Sequence, residues 1–350
     1  MPLLPFPKYE KLARRLRGLF LDKIHNTPLQ FRSYIAYWNY QLNKKNKSAL
    51  AAKEHYIAEK PNYGAGIGHQ LANWNTSYYY AGVYNLLFAH FPFSNKKWEH
   101  FLGFGENETS ALALLKNPGF KKVRLPRFNS ENQEEVALVG KIIQSYRDDK
   151  ILFLLEQDQG YMRQCDTTAD LSRKFFAAGA RKENKLFYDA GNFNIAIHIR
   201  RGDIVAMKQT GDANWQERWL NNDYYVSVLK QVLLLLTTVR NIQVYLFSQG
   251  NKEDFPEFEQ FSNIHYCLDT NAYDSFLHLA CADLLISSKS SFSYKPALLS
   301  KGIKLCPANF WHAYPASPDF VLVDDNADFD KKKLADAFEY KNIKSTKITG

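Results

Sequence analysis

Ile195, Ala196, Ile197, His198, Ile199, Arg200, Arg201, Gly202, Asp203: an apolar, β-branched run ends on two adjacent arginines and a glycine. Branched aliphatic residues in a run this short favour a strand buried on both faces. Working outward, Asp223–Thr237 reads as a helix, Ile242–Phe247 as extended, Glu253–Phe261 as a helix and Ile264–Cys267 as a short strand. Tyr273–Cys281, Leu284–Ser287, Ser291–Ser300 and Ile303–Cys306 then repeat helix, strand, helix, strand. Strands alternating with helices at this rhythm predict an α/β fold with a parallel sheet covered on both sides, whose ligands bind beyond the carboxyl ends of the strands.

The first half is less regular. Tyr63–Gly68 carries glycines at 64, 66 and 68, and an aromatic and apolar segment long enough for a helix follows it as far as Phe91. Such a loop lets backbone amides approach a ligand at a helix start. Pro92–Arg127 reads as irregular, Glu134–Tyr146 as a helix and Ile151–Leu155 as a strand. With 350 residues, two domains are expected, residues 1–185 and 186–350, with the polar run Arg181–Lys185 as the passage between them.

Composition narrows the partners. Lys and Arg number 45 against 36 Asp and Glu, a net charge of +9, which favours anionic partners without choosing among them. The four cysteines have no CxxC spacing and read as buried reduced thiols. No His and carboxylate cluster of metal-binding spacing stands out, so no metal is expected. The N-terminus lacks an apolar stretch of secretory or membrane length, so a cytoplasmic location is expected. Between Tyr9 and His25, Leu12, Leu16, Leu19, Phe20 and Ile24 recur at helical spacing among Arg14, Arg15, Arg17 and Lys23. This amphipathic helix either docks on the protein's own core or makes peripheral contact with an anionic membrane.

Two features carry chemistry. Adjacent arginines at a strand end need anionic partners, and a diphosphate supplies oxygens for charge-assisted, bidentate hydrogen bonds. The alternative is a salt bridge to Asp203 or Asp189. Downstream, Ser287, Ser288, Lys289, Ser290, Ser291, Phe292 and Ser293 bridge a strand and a helix. Hydroxyls there cap helix amides, and those amides with the helix dipole also attract a phosphate. Trp74, Tyr78, Tyr79 and Tyr80 serve either as core or as stacking platforms for sugar rings.

Three segments resemble a known family. Gly64–Trp74 is similar to the Gly-rich loop of the superfamily of α-1,2-, α-1,6- and protein O-fucosyltransferases. His198–Asp203 resembles its His-x-Arg-Arg-x-Asp motif, and Asp274–Ser293 its third block, with an Asp ahead of a strand and a Ser-Ser-Phe-Ser turn. The resemblance implies a GT-B architecture of two Rossmann-like domains facing a cleft. It also implies inverting, metal-independent transfer of L-fucose from GDP-fucose, its donor substrate, to a glycan acceptor, with no cofactor and no nucleic-acid partner. On that resemblance Arg200 holds the β-phosphate and Arg201 braces the loop or the second phosphate. His198 and Asp274 line the guanine side, Ser290, Ser291 and Phe292 close around the diphosphate, and Gly66, Gly68 and His69 approach the donor from the other domain. Met207 and Lys208 stand where the α-1,6 branch has a Glu, so the catalytic base is open among Asp203, Asp212 and Glu217, with Asp203 leading. A related enzyme using another nucleotide sugar, or a silent glycan-binding protein, would keep the same motifs.

Overall fold

Burial on both faces of its central strands is what builds the larger sheet. In a computed structural model the described residues are 29–44, 54–157, 164–211, 213–239 and 241–343, with 12, 16–21, 23, 24 and 27 ahead of them. Asp212, and residues 9–11, 13–15, 22 and 25 of the N-terminal helix, lie outside the described residues.

Contacts divide the chain into two units. One comprises Met1–Asn62, Ala72–Phe91 and Asn107–Met162; the other comprises Tyr63–Leu71, Pro92–Glu106 and Arg163–Gly350. The first holds a five-stranded sheet of β1 (Glu54–Glu59), β2 (Leu87–His90), β3 (Thr109–Ser110), β4 (Lys121–Arg124) and β5 (Lys150–Leu155), in the order β3-β2-β1-β5-β4. The second holds six strands: β6 (Phe193–His198), β7 (Ile242–Ser248), β8 (Ile264–Leu268), β9 (Leu284–Ile286), β10 (Ile303–Pro307) and β11 (Phe320–Val323). Their order is β11-β10-β9-β6-β7-β8, and every pairing in both sheets is parallel. The expected α/β class with two parallel sheets is therefore present.

The second sheet follows the doubly wound dinucleotide-binding order, in which the chain runs outward one way from its first strand and then returns to run outward the other way. The reversal falls between β6 and β9, which pair at Ile195↔Leu284 and Ile197↔Ile286. Period-two alternation divides the side chains between two cores. Ile195, Ile197, Val244, Leu246, Leu284 and Ile286 pack with the helix Asn222–Leu235. Ala196, Tyr245, Phe247 and Leu285 pack with Leu279, Tyr294 and Ala297 of the helices Ala272–Cys281 and Ser291–Leu299. Both faces being covered explains why β6 is buried at all six positions.

Several expectations are corrected. Pro92–Arg127 contains the helices Lys96–Leu102 and Ala111–Lys116 and the strands β3 and β4. These elements are too short for a periodic pattern, and caps define them instead: Asn95 accepts from the Lys97 amide, Ser110 from the Ala113 amide, and Gly103 ends the first helix at φ +65°. Glu253–Phe261 is not an α-helix but two 3-10 turns, Lys252–Asp254 and Pro256–Phe258. Pro256 brings no N–H and disfavours helical backbone at Phe255. Contacts group residues 164–185 with the second unit. There the Ser172 hydroxyl donates to the Leu299 carbonyl at 2.8 Å, and Phe175 packs on Phe276 at 5.9 Å.

All four cysteines are free thiols, but only Cys306 is buried; Cys165, Cys267 and Cys281 are half-buried. Trp74 and Tyr80 are core residues, each 1% exposed, with Trp74 stacked on Tyr78 and donating to His90 Nδ1 at 2.8 Å. Among the described residues no helix is long and apolar enough to cross a membrane.

Candidate active site at the strand-order reversal

Two turns leave the carboxyl ends of β6 and β9 side by side. The first is His198–Asp203. His198, the last residue of β6, is buried, and its Nδ1 lies 2.7 Å from Ser288 Oγ in the second turn. Burial, reinforced by the charges of Arg200 and Arg201, lowers its pKa to about 3, so the ring is neutral. A neutral ring can meet the serine hydroxyl as donor or as acceptor.

The two arginines have separate jobs. Arg201 is 8% exposed, and its Nη1 donates to the carbonyls of Arg200 (2.9 Å) and Leu220 (3.2 Å). Its Nη2 donates to Asn222 Oδ1 at 2.5 Å, and its guanidinium lies over the Trp219 ring, 4.1 Å from the centroid. Those donors bind the loop to the helix Asn222–Leu235, so Arg201 is consumed internally. Arg200 instead makes a two-pronged pair with Asp203, Nη2–Oδ2 2.8 Å and Nε–Oδ1 3.4 Å, with a longer Nη1 contact to the Lys289 carbonyl at 3.5 Å. The Arg200 side chain is 18% exposed and the Asp203 carboxylate 62%, so a competing anion can reach this pair from solvent.

Gly202 makes the turn possible. Its φ of +44° lies where L side chains rarely sit, and a Cβ there would stand 1.9 Å from Gln249 Oε1. Asp203 then opens the helix Asp203–Thr210, where a carboxylate suits the dipole.

The second turn, Ser287–Ser291, uses its hydroxyls one by one. Ser288 Oγ sits between His198 and Ser293 Oγ (3.2 Å), and Ser290 caps the helix Ser291–Leu299 by accepting from the Phe292 amide. Ser291 Oγ lies 3.3 Å from His312 Nε2. Capping is thus real, and it leaves first-turn amides, which a helix cannot satisfy itself, at the mouth of the reversal. Half-buried Phe292 packs on the His198 ring at 5.5 Å and on Phe276 at 6.0 Å. The Lys289 ammonium is spoken for by Asp325 at 2.7 Å, whose other oxygen accepts from Asn309.

The Gly-rich loop groups with this unit. The Gly66 carbonyl accepts from the amides of His69 and Gln70 as the helix Ile67–Val83 begins. Gln70 clamps the loop by donating to the Ala65 carbonyl and to Ser94 Oγ while accepting from the Ser94 amide. A Cβ on Gly68 would stand 2.8 Å from Ser291 Cβ and 3.1 Å from its backbone, so only glycine permits this approach to the serine turn. At Gly66 the same test meets open space, and His69 is half-buried. Asp274 stands apart: it accepts from Asn271 Nδ2 at 2.5 Å, and among the described residues no hydrogen bond joins it to either turn. Of the other carboxylates, Glu217 is exposed in the 3-10 segment Ala213–Arg218.

A supporting layer escaped the sequence reading. Lys295, one turn into the serine helix, is buried and donates to Gln164 Oε1; burial lowers its pKa to about 7. Gln164 Nε2 lies 3.1 Å from His312 Nδ1, and Trp311 Nε1 donates to His312 Nε2 at 3.1 Å. Burial and Lys295 lower the His312 pKa to about 3. A lysine as the one charged residue of its helix was the available signal; His312 and Gln164 lie in irregular or 3-10 stretches with no periodicity.

No protein-family model matches the chain, and no curated protein matches its sequence. Among solved structures it is similar to NodZ alpha-1,6-fucosyltransferase co-crystallised with GDP, at 13% identity and a TM-score of 0.45, covering 80% of this chain and 98% of that one. It is similar to POFUT1 in complex with GDP at 12% identity and a TM-score of 0.42, covering 79% and 99%. A mutant of Arabidopsis thaliana FUT1 in complex with GDP gives 10% identity and a TM-score of 0.44, covering 88% and 82%.

Proposed function

We propose that this chain transfers L-fucose from GDP-fucose to a hydroxyl of a glycan, with inversion and without a metal. The observation that carries the reading is convergence: three segments far apart in sequence, each similar to a fucosyltransferase motif, meet at the reversal of a doubly wound sheet. His198 touches Ser288, and Gly68 lies against Ser291. That place is where such sheets bind phosphates.

In this reading the diphosphate lies over the ends of β6 and β9, against the amides at the start of the helix Ser291–Leu299 and the guanidinium of Arg200. The acceptor oxygen attacks the anomeric carbon from the face opposite GDP. The bond from that carbon to the β-phosphate oxygen breaks, and its electrons remain on the phosphate. Charge grows there through an oxocarbenium-like transition state, so a positioned cation accelerates the step. Arg200 is the suited cation because Arg201 and Lys289 are held internally. The phosphate displaces Asp203 from Arg200, and the freed carboxylate takes the acceptor proton. His198 and Phe292 shape the floor, and Gly66 and His69 border the donor.

The test is calorimetry with a nucleotide panel, followed by GDP release from GDP-fucose over an acceptor array with and without EDTA. Tighter binding of GDP than UDP, and acceptor-dependent release unchanged by EDTA, are expected. Preference for UDP, or activity lost on chelation and restored by Mn2+, overturns the donor or the metal-free mechanism respectively.

A further inference from the structure

The net charge is not spread over the molecule. Residues 1–53 hold 11 Lys and Arg against only Glu10 and Asp22, whereas residues 54–350 hold 34 of each sign. The whole excess of +9 therefore sits in the first 53 residues, and the part bearing the candidate active site is neutral overall.

Several of the described apolar side chains in this segment are exposed. In the N-terminal helix Leu21 and Ile24 turn inward and form a small cluster with Tyr34. Leu12, Leu16, Leu19 and Phe20 face outward, 53–58% exposed, on the side of the helix that also bears Lys23. Docking of that stripe on the protein's own core, one of the two sequence alternatives, is thus limited to Ile24 and its neighbour Leu21. The helix Ile35–Asn43 repeats the pattern: Ala36 is buried, while Ile35 (87%), Trp38 (51%) and Leu42 (83%) share one exposed face at helical spacing. Soluble surfaces seldom leave this many large apolar side chains unpartnered.

We propose that the exposed apolar faces bearing Leu16, Leu19, Ile35 and Leu42 dock the protein on an anionic lipid surface. Leucine, isoleucine and tryptophan side chains enter the boundary between headgroups and acyl chains, while Lys23, Arg32 and Lys44, all exposed, meet the negative headgroups. Charge selects this occupant. A second copy of the chain would bring the same excess of positive charge onto itself, and a nucleic acid would gain nothing from the exposed aliphatic side chains.

Sedimentation of the full chain with vesicles of phosphatidylcholine alone or mixed with phosphatidylglycerol tests this. Binding to the mixed vesicles only, weakened by salt, is expected. Lys23→Gln/Arg32→Gln/Lys44→Gln should lower partitioning about fivefold per charge removed. Leu16→Ser/Leu19→Ser and Ile35→Ser/Leu42→Ser should each lower it further at unchanged thermal midpoint, because these side chains are exposed. Equal binding to both vesicle types, binding indifferent to every variant, a dimer in solution abolished by Ile35→Ser/Leu42→Ser, or tighter retention by DNA or RNA than by vesicles would each overturn the proposal. The charge variant alters no packed side chain, so its result stands even if an apolar variant misfolds.

Discussion

The turn after β6 and the turn after β9 occupy equivalent places on either side of the strand-order reversal, yet they are built from different materials. The first concentrates charge, with Arg200, Arg201 and Asp203 in four consecutive residues; the second concentrates small hydroxyls around one capped helix start. Within the first, burial separates two neighbours of identical chemistry. Arg201 is locked to carbonyls and Asn222, while Arg200 meets an exposed carboxylate that another anion can replace. A full charge and a helix dipole are complementary ways to attract the anion proposed to lie there: one supplies strength, the other fixed direction.

The largest expected effect breaks that comparison at its charged end. Arg200→Ala should lower turnover of GDP-fucose by at least about 10²–10³-fold with the thermal midpoint unchanged, because it removes a partner made strongest in the transition state. Arg200→Lys should restore little of it, since an ammonium lacks the planar fork. Steady-state kinetics and a thermal melt measure both, and activity within tenfold of the parent would refute the role. Arg201→Ala should behave in the opposite way. Orphaning two carbonyls and the Asn222 oxygen should lower unfolding free energy by about 3 kcal/mol in urea titration; a stable but inactive variant would show that Arg201 serves the donor instead.

Smaller effects sharpen the hydroxyl-lined side. Gly68→Ala forces a methyl onto Ser291 and should cost about 1–3 kcal/mol. Gly66→Ala, with open space before it, should cost about 0.5 kcal/mol. Equal midpoints for the two variants in denaturant would contradict the close approach.

The gentlest probe is pH. His198 is depressed from its usual 6.5 to about 3, so below pH 6.5 the unfolded chain takes up a proton that the folded chain refuses until about pH 3. Its contribution is therefore complete above pH 6.5 and declines as pH falls toward 3; His312, held down alike, adds to the decline. Lys295 adds none there, being protonated in both states below about pH 7. Urea midpoints between pH 7 and 4.5 should fall, and less steeply for His198→Asn; a flat profile for the parent would show that neither ring is held neutral.

Much of the larger unit is legible in the sequence alone. Branched apolar runs alternating with helical periods determined a parallel α/β sheet, because side-chain periodicity is a local property that each strand and helix carries in its own residues. The same local reading failed between Pro92 and Arg127 and at Glu253–Phe261, where elements shorter than two turns are defined by caps and by Pro256. The sequence also singled out two arginines, a glycine loop and a serine turn as places where ordinary packing needs a reason.

What only the tertiary structure decided is how those places meet and which members remain available. The order β11-β10-β9-β6-β7-β8 brings residue 198 beside residue 288, and no local pattern encodes that pairing. Arg200 and Arg201 are indistinguishable as letters; solvent access and hydrogen-bond partners, some of them 19 to 89 positions away, make one a brace and leave the other to an exchangeable partner. Sequence specifies the chemistry that each site can use. Burial and long-range contact specify which atom is still able to use it.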